Sequence, residues 1–305
     1  MSRFCVAGSI NIDLVTKTSR FPKPGETMYG ESFHTFTGGK GANQAVALAK
    51  LGADTAMIGL VGNDIYADDY MAYFKKLGVN TNGVKGVETS TGIAVITVDG
   101  GGENNIIIVS GANAKVDEDY ILSNSDIIND SKYLLLQLEV PMDAVVQAAK
   151  CAAESGTKVI LDPAPAVPLA DELLKYVDII TPNETEAEIL TGIRPADEAG
   201  FASAGRILID RGVKTAVMKA GSRGAYVFSD NMLTHVEGFR VTAVDTTAAG
   251  DTFNAGLAYG LGAGMPLMKA VRFANAAAAI STTKAGAQGG MPTLAEAQSL
   301  LDTLN

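Results

Sequence analysis

Between residues 115 and 219 of this 305-residue chain, short apolar runs and helix-like segments take turns. The runs expected to be strands fall at 133–137, 158–162, 178–181 and 215–219, and the helical segments at 141–154, 170–176, 184–190 and 201–211. Alternation of this kind leaves few folds open. A strand, a crossover helix and a parallel neighbouring strand, always of one hand, build a parallel sheet with helices on both faces. Ligands of such sheets sit beyond the carboxyl ends of the strands. Four polar clusters fall at those ends: Glu139, Asp162-Pro163-Ala164-Pro165, Asn183-Glu184-Thr185-Glu186 and Lys219-Ala220-Gly221-Ser222-Arg223-Gly224. One of them alone is an ordinary loop; four on one rim favour a site.

The first third of the chain begins in the same manner, with strands expected at 4–7 and 56–61 and helices at 44–51 and 64–76. Four β-like runs interrupt the order, at 10–15, 27–36, 91–98 and 104–109, the last two joined by the Gly-rich turn 99–102. Together they suggest a small sheet made from two insertions, a lid. In an extended segment Asn11 and Asp13 point to one side while Ile10, Ile12 and Leu14 point to the other. Such a strand suits the wall of a wet pocket and equally an exposed sheet face. The expected division is a main α/β domain of residues 1–9, 38–89 and 111–305, with 10–37 and 90–110 as the inserted lid. Helices are expected at 253–261, 265–280 and 294–304, with a flexible loop at 284–290.

Composition excludes several functions. A net charge of −10 argues against a nucleic-acid partner, which needs a basic face. Two cysteines and two histidines are too few for a disulfide framework or a Cys/His metal site, and they argue against a Ser-His-Asp triad. No long apolar stretch or leader pattern stands out, so a cytoplasmic protein without a membrane partner is expected. An anionic ligand would then need local positive charge from helix ends, Lys/Arg or a divalent metal.

Two stretches carry candidate chemistry. In Val244-Asp245-Thr246-Thr247-Ala248-Ala249-Gly250-Asp251, small residues precede an apolar helix. As its first turn they would aim unpaired N–H groups and the positive end of the helix dipole at one spot, beside the Asp251 carboxylate. A helix start with Asp as an ordinary cap accounts for the same residues. In Thr37-Gly38-Gly39-Lys40-Gly41-Ala42-Asn43 the glycines allow close backbone approach, with Lys40 and Asn43 as handles. This is not a Walker A loop, because Gly41 follows Gly39-Lys40 where Ser/Thr is required.

These stretches, Gly38 to Ala45 and Asp245 to Phe253, match two signatures of one family. Gly8 to Asp13, Thr181 to Glu188 and Gly221 to Gly224 match further ones in the same order. The chain therefore resembles the ribokinase-like (PfkB-type) carbohydrate kinases over nearly its full length. The resemblance implies a three-layer αβα fold with a central, mostly parallel sheet and a β-sheet lid. It implies ATP-dependent phosphorylation of D-ribose at its terminal hydroxyl, with deoxyribose, another pentose or a nucleoside as the alternative acceptor.

Laid on matching positions, Asp251 is the catalytic base and Ala248, Ala249 and Gly250 form the anion hole. Asn11, Asp13, Gly39, Lys40, Asn43 and Glu139 hold the sugar with Asp251. Asn183 and Glu184 help order Mg2+ and the phosphates, Glu184 through water. Lys219, Ala220, Gly221, Ser222, Arg223, Gly224 and Asn275 lie near the nucleotide's ribose and adenine, with Gly250 at its phosphates. Asp245, Thr247, Ser281, Lys284, Gly286 and Gly290 surround a monovalent cation, K+ as activator. The resemblance also implies a homodimer formed through the lid.

Overall fold

Strand β1 (Arg3–Ala7) sends successive side chains to opposite sides, and each side is a hydrophobic core. Cys5 and Ala7 join one cluster, Phe4 and Val6 the other. The same division runs through Leu134/Leu135, Val159/Ile160 and Ala216/Val217 on neighbouring strands. A sheet apolar on both faces must be covered twice, and helices do so here. Helices Met142–Ser155 and Glu198–Asp210 pack on one face; Lys40–Lys50, Ala249–Gly262 and Leu267–Ser281 pack on the other. The architecture is three layers, α/β/α.

The structure, a computed structural model, describes residues 3–302. After β1 come β2 (Asn11–Lys17), β3 (Ser32–Gly38), β4 (Asp54–Gly62), β5 (Asn80–Val87), β6 (Gly92–Val98) and β7 (Asn104–Val109). Then follow β8 (Tyr133–Leu136), β9 (Lys158–Leu161), β10 (Ile179–Ile180), β11 (Thr215–Lys219), β12 (Gly224–Ser229) and β13 (Met232–Glu237). Among the described residues the large sheet has nine strands in the order β13-β12-β11-β10-β9-β8-β1-β4-β5, parallel except for the hairpin β12–β13 at one edge. The small sheet has the order β3-β2-β6-β7. Its β2 pairs parallel to β6 and antiparallel to β3.

Several expected elements change length. The run 27–36 is a strand only from Ser32, which pairs with Lys17, the last residue of β2; Glu31 adds one N–H bond to Lys17 O at 2.7 Å. The expected helix at 170–176 is a single turn, Asp171–Leu174. The helix foreseen from Phe253 starts at Ala249, bringing the small residues into its first turn. The helix expected at 294–304 is Leu294–Asp302, and residues 303 and 304 lie outside the described ones. Among the described residues no helix is long and apolar enough to cross a membrane.

Candidate active site

The helix Ala249–Gly262 begins without a side-chain cap. Its N-cap Ala248 takes φ 59°, in the left-handed region that a Cβ disfavours. The Ala249 N–H is used in a turn to Thr246 O at 3.2 Å, whereas those of Ala248, Gly250 and Asp251 have no protein partner among the described residues. The candidate anion hole thus offers Ala248 and Gly250 as donors, and Ala249 shapes the turn. A Cβ built on Gly250 would lie 3.4 Å from Lys219 Nζ, so an ammonium group stands beside those donors.

Asp251 is buried, yet both its carboxylate oxygens are engaged. Asn43 Nδ2 donates to Oδ2 at 2.9 Å and Gln44 Nε2 to Oδ1 at 3.2 Å. Burial pushes its pKa up to about 6; Lys40 lowers it, Asp162 raises it, and the two amides lower it. A carboxylate poised there is ionised at neutral pH and strong enough to take a proton. Lys40 is also buried, which alone would make it less basic, but the charges of Asp251, Asp162, Glu139 and Glu186 outweigh burial and raise its pKa.

The sugar-contact candidates gather around the start of helix Lys40–Lys50. Asn11 sits in β2 between Gly38 and Gly92 of the neighbouring strands, and a Cβ on either glycine would press on the Asn11 or Asp13 side chain. Asn113 Nδ2 donates to Asn11 Oδ1 at 2.6 Å, fixing that amide. The pKa of Asp13 is pushed up to about 6, first by burial and then by the charges of Glu139 and Asp251. Glu139 accepts from Ser9 Oγ at 2.5 Å and from the Lys40 N–H at 3.1 Å, which ties the rim after β8 to this turn. Gly39 has φ 87°, and a Cβ there would come within 2.6 Å of the Asn11 nitrogen.

On the rim, a cavity of about 830 Å3 opens from Lys40 and Asp251 past Asn183, Lys219, Gly221, Ser222 and Gly224 to Asn275. Lys219 points to the end of this space next to Gly250. Its Nζ pairs with Asp162 Oδ1 at 2.8 Å and lies 3.9 Å from Glu186 Oε2. Ala220 is buried, and Arg223 pairs with Glu184 Oε1 at 3.1 Å. Asn183 caps helix Glu184–Thr191 in a reciprocal box with Glu186. Asn275 lines the cavity, but its amide donates to Val236 O and Glu237 O at 3.0 and 3.1 Å, a tie to β13.

The cation candidates also converge. Asp245 accepts from Thr247 N and Gly286 N at 2.9 and 2.8 Å. Gly290 lies against the carbonyls of Ser281 and Lys284, where a Cβ would collide with the former. The Lys284 ammonium pairs with Glu296 at 2.6 Å, so of this residue only the carbonyl is placed beside Gly290.

Other residues of the site carried no assigned role in the sequence. Gln44 stands inside the first glycine signature, yet its contacts to Asp251 and Asp162 form only in three dimensions. Asp162 and Glu186 were visible as rim carboxylates. Gln288, Tyr70 and the cavity wall Phe239, Arg240 and Val241 left no signal of their own.

Comparison with known proteins shows the family. Residues 1–294 match the pfkB family of carbohydrate kinases, and the chain belongs to that family. Within it, the ribokinase of Haemophilus influenzae is 45% identical over 298 residues, 97% of each chain. A deoxyribokinase of Salmonella typhi is 37% identical, covering 95% of each. The structure of Arabidopsis thaliana ribokinase complexed with ribose and ATP superposes with a TM-score of 0.94, at 35% identity and 98% coverage of both chains.

Proposed function

We propose that this protein is an ATP-dependent kinase of D-ribose that delivers phosphate to the terminal hydroxyl, with Asp251 as general base. One observation carries the proposal: Asp251 is buried between the polar cluster of Asn11, Asp13, Lys40, Asn43 and Glu139 and a nucleotide-sized cavity, beside free N–H groups at a helix start. An alcohol is a poor nucleophile until its proton is accepted, and Asp251 can accept it as the bond to phosphorus forms. The N–H groups of Ala248 and Gly250, with Lys219 nearby, oppose charge on the transferring group. Gly39, Lys40 and Asn43 hold the sugar from one helix start, and Asn11, Asp13 and Glu139 bond its other hydroxyls. Asn183, Gly221, Ser222 and Gly224 line the nucleotide end, where Ala220 and Arg223 act from behind and Asn275 shapes the wall.

Among the described residues no group of three or more His, Cys, Asp or Glu could hold a metal ion. Glu184 beside the cavity fits a Mg2+ held mainly by phosphates and water, which supplies positive charge to an acidic protein. The carbonyls of Ser281 and Lys284, with Asp245, Thr247, Gly286 and Gly290, are hard oxygen donors and backbone positions suited to K+ as activator.

Residues 10–37 and 90–110 form the proposed lid, and the rest the main domain. On the face of the lid sheet turned away from Asp13, Phe33 (60%), Val95 (43%) and Ile107 (67%) are exposed. A patch of that kind calls for a cover, and a second copy of the lid supplies one. Light scattering is expected to show a dimer, and a monomer at working concentration contradicts it. Two buried free cysteines suit a reducing cytoplasm. The activity itself is tested by incubating the enzyme with D-ribose, ATP and Mg2+ and locating the phosphate by NMR. The 5-phosphate is expected, and a 1-phosphate or no product refutes the proposal.

A further inference from the structure

Asp251 can only accept hydrogen bonds when it acts as a base, and this dictates the direction of every amide behind it. Asn43 must turn its nitrogen to Asp251 Oδ2, so its oxygen faces away. That oxygen accepts from Gln288 Nε2 at 2.9 Å. The same nitrogen of Gln288 donates to the Tyr70 hydroxyl at 2.7 Å, which donates onward to Gly38 O at 2.6 Å. Gln288 Oε1 in turn accepts from Thr37 Oγ1 at 2.7 Å. Its backbone carbonyl is held by Lys50 Nζ at 2.5 Å. Gln288, Asn43 and Tyr70 are all buried, so water does not compensate for a broken link.

A second relay reaches the other oxygen of Asp251 and ends differently. Gln137 Nε2 donates to Gln44 Oε1 at 2.7 Å, and Gln137 Oε1 is buried without a partner among the described residues. That relay ends inside the main sheet. The Gln288 relay ends on Thr37 and Gly38, the last two residues of β3, where the chain leaves the small sheet for the helix bearing Lys40 and Asn43.

We infer that Gln288 is a positioning residue for the base: it locks the Asn43 amide with its donor on Asp251 and ties that donor to the end of β3. The inference takes from the proposed function only that Asp251 is the base. An inverted Asn43 would set its oxygen against the carboxylate and its N–H groups against those of Gln288, so Gln288 excludes that state. The charges facing Asp251 from the surrounding elements are Lys40, Asp13, Glu139, Asp162, Lys219 and Glu186, and replacing Gln288 alters none of them.

The test is Gln288→Met in the full chain, with Thr37→Val as a milder second variant. For each, kcat and the KM values for sugar and ATP are measured from pH 5 to 9. In Gln288→Met, kcat is expected to fall roughly ten- to hundredfold, as for a misplaced reacting group. Sugar KM rises while ATP KM stays within about twofold. The acid limb of kcat moves to higher pH, because the charged form of Asp251 has lost a donor. Thr37→Val shifts the limb the same way by less. A folded Gln288→Met with the parent's kcat and acid limb overturns the inference. So does a lower kcat with limb and both KM values unmoved, which would mark Gln288 as merely structural. If the parent uses another sugar instead of D-ribose, the proposed acceptor fails, and the same limb measured on that sugar still decides the role of Gln288.

Discussion

Replacing Asp251 by Asn separates what this residue does for chemistry from what it costs the fold. Burial raises its pKa from 3.8 to about 6, so the folded protein binds a proton there more tightly than the unfolded chain does. For a group raised in this way, the stabilisation is fully present below the unfolded pKa and is lost as pH rises through the folded one. A rise of about two units corresponds to roughly 3 kcal/mol of penalty for the charged form above pH 6. Asn removes that penalty. It also turns one N–H2 group against an amide donor from Asn43 or Gln44, which costs about 1–3 kcal/mol.

The two effects have different pH dependence. Above pH 7 they nearly cancel, with the balance in favour of the variant. Near pH 4 only the cost remains, and the variant is less stable by about 1–3 kcal/mol. Urea unfolding of both proteins at pH 4.5 and 8 reads the difference, and kcat at pH 8 is expected to fall by ~10²–10⁴. A stability difference that is the same at both pH values would refute the desolvation argument. A near-normal kcat would refute the assignment of the base.

Other outcomes follow from the same geometry. Asp13→Ala should raise the KM for the sugar far more than that for ATP, as steady-state kinetics would show; equal changes place Asp13 away from the sugar. Gly39→Ala puts a Cβ at φ 87° within 2.6 to 3.0 Å of the backbone of residues 9–11, and a loss of about 2–4 kcal/mol in a urea melt is expected. Lys219→Met leaves Asp162, only 2% exposed, without its cation, and a loss of about 3–5 kcal/mol is expected from the same melt. The acid limb of kcat should lie near pH 6, where Asp251 gains its proton.

Much of the fold was legible because β1, β8, β9 and β11 are apolar runs spaced by helices, a pattern that physics converts into few topologies. Strand β5 was not foreseen, since its start Asn80-Thr81-Asn82-Gly83 reads as polar and it forms the sheet edge. The hairpin β12–β13 was missed, although its two-residue turn Asp230–Asn231, with φ of 48° and 60°, is of the type that hairpins favour. The candidate site was legible wherever the proposed function needs a local run, as at Gly38–Asn43 and Ala248–Asp251. It was illegible where function runs through space: Gln288 and Asn43 are 245 positions apart, and only the packed structure makes them neighbours. The ion pair of Lys219 with Asp162, 57 positions away, was likewise invisible in the sequence.

The central claim is that a polar pocket at Asn11, Asp13 and Lys40 presents the terminal hydroxyl of D-ribose to Asp251. It is tested most directly by kcat/KM for D-ribose, 2-deoxy-D-ribose and adenosine in one coupled assay of ATP turnover. A buried site built to bond hydroxyls penalises the acceptor that lacks one. D-ribose is therefore expected to lead 2-deoxy-D-ribose by roughly tenfold or more, with adenosine far behind. Equal or better turnover of 2-deoxy-D-ribose or adenosine would contradict the claim.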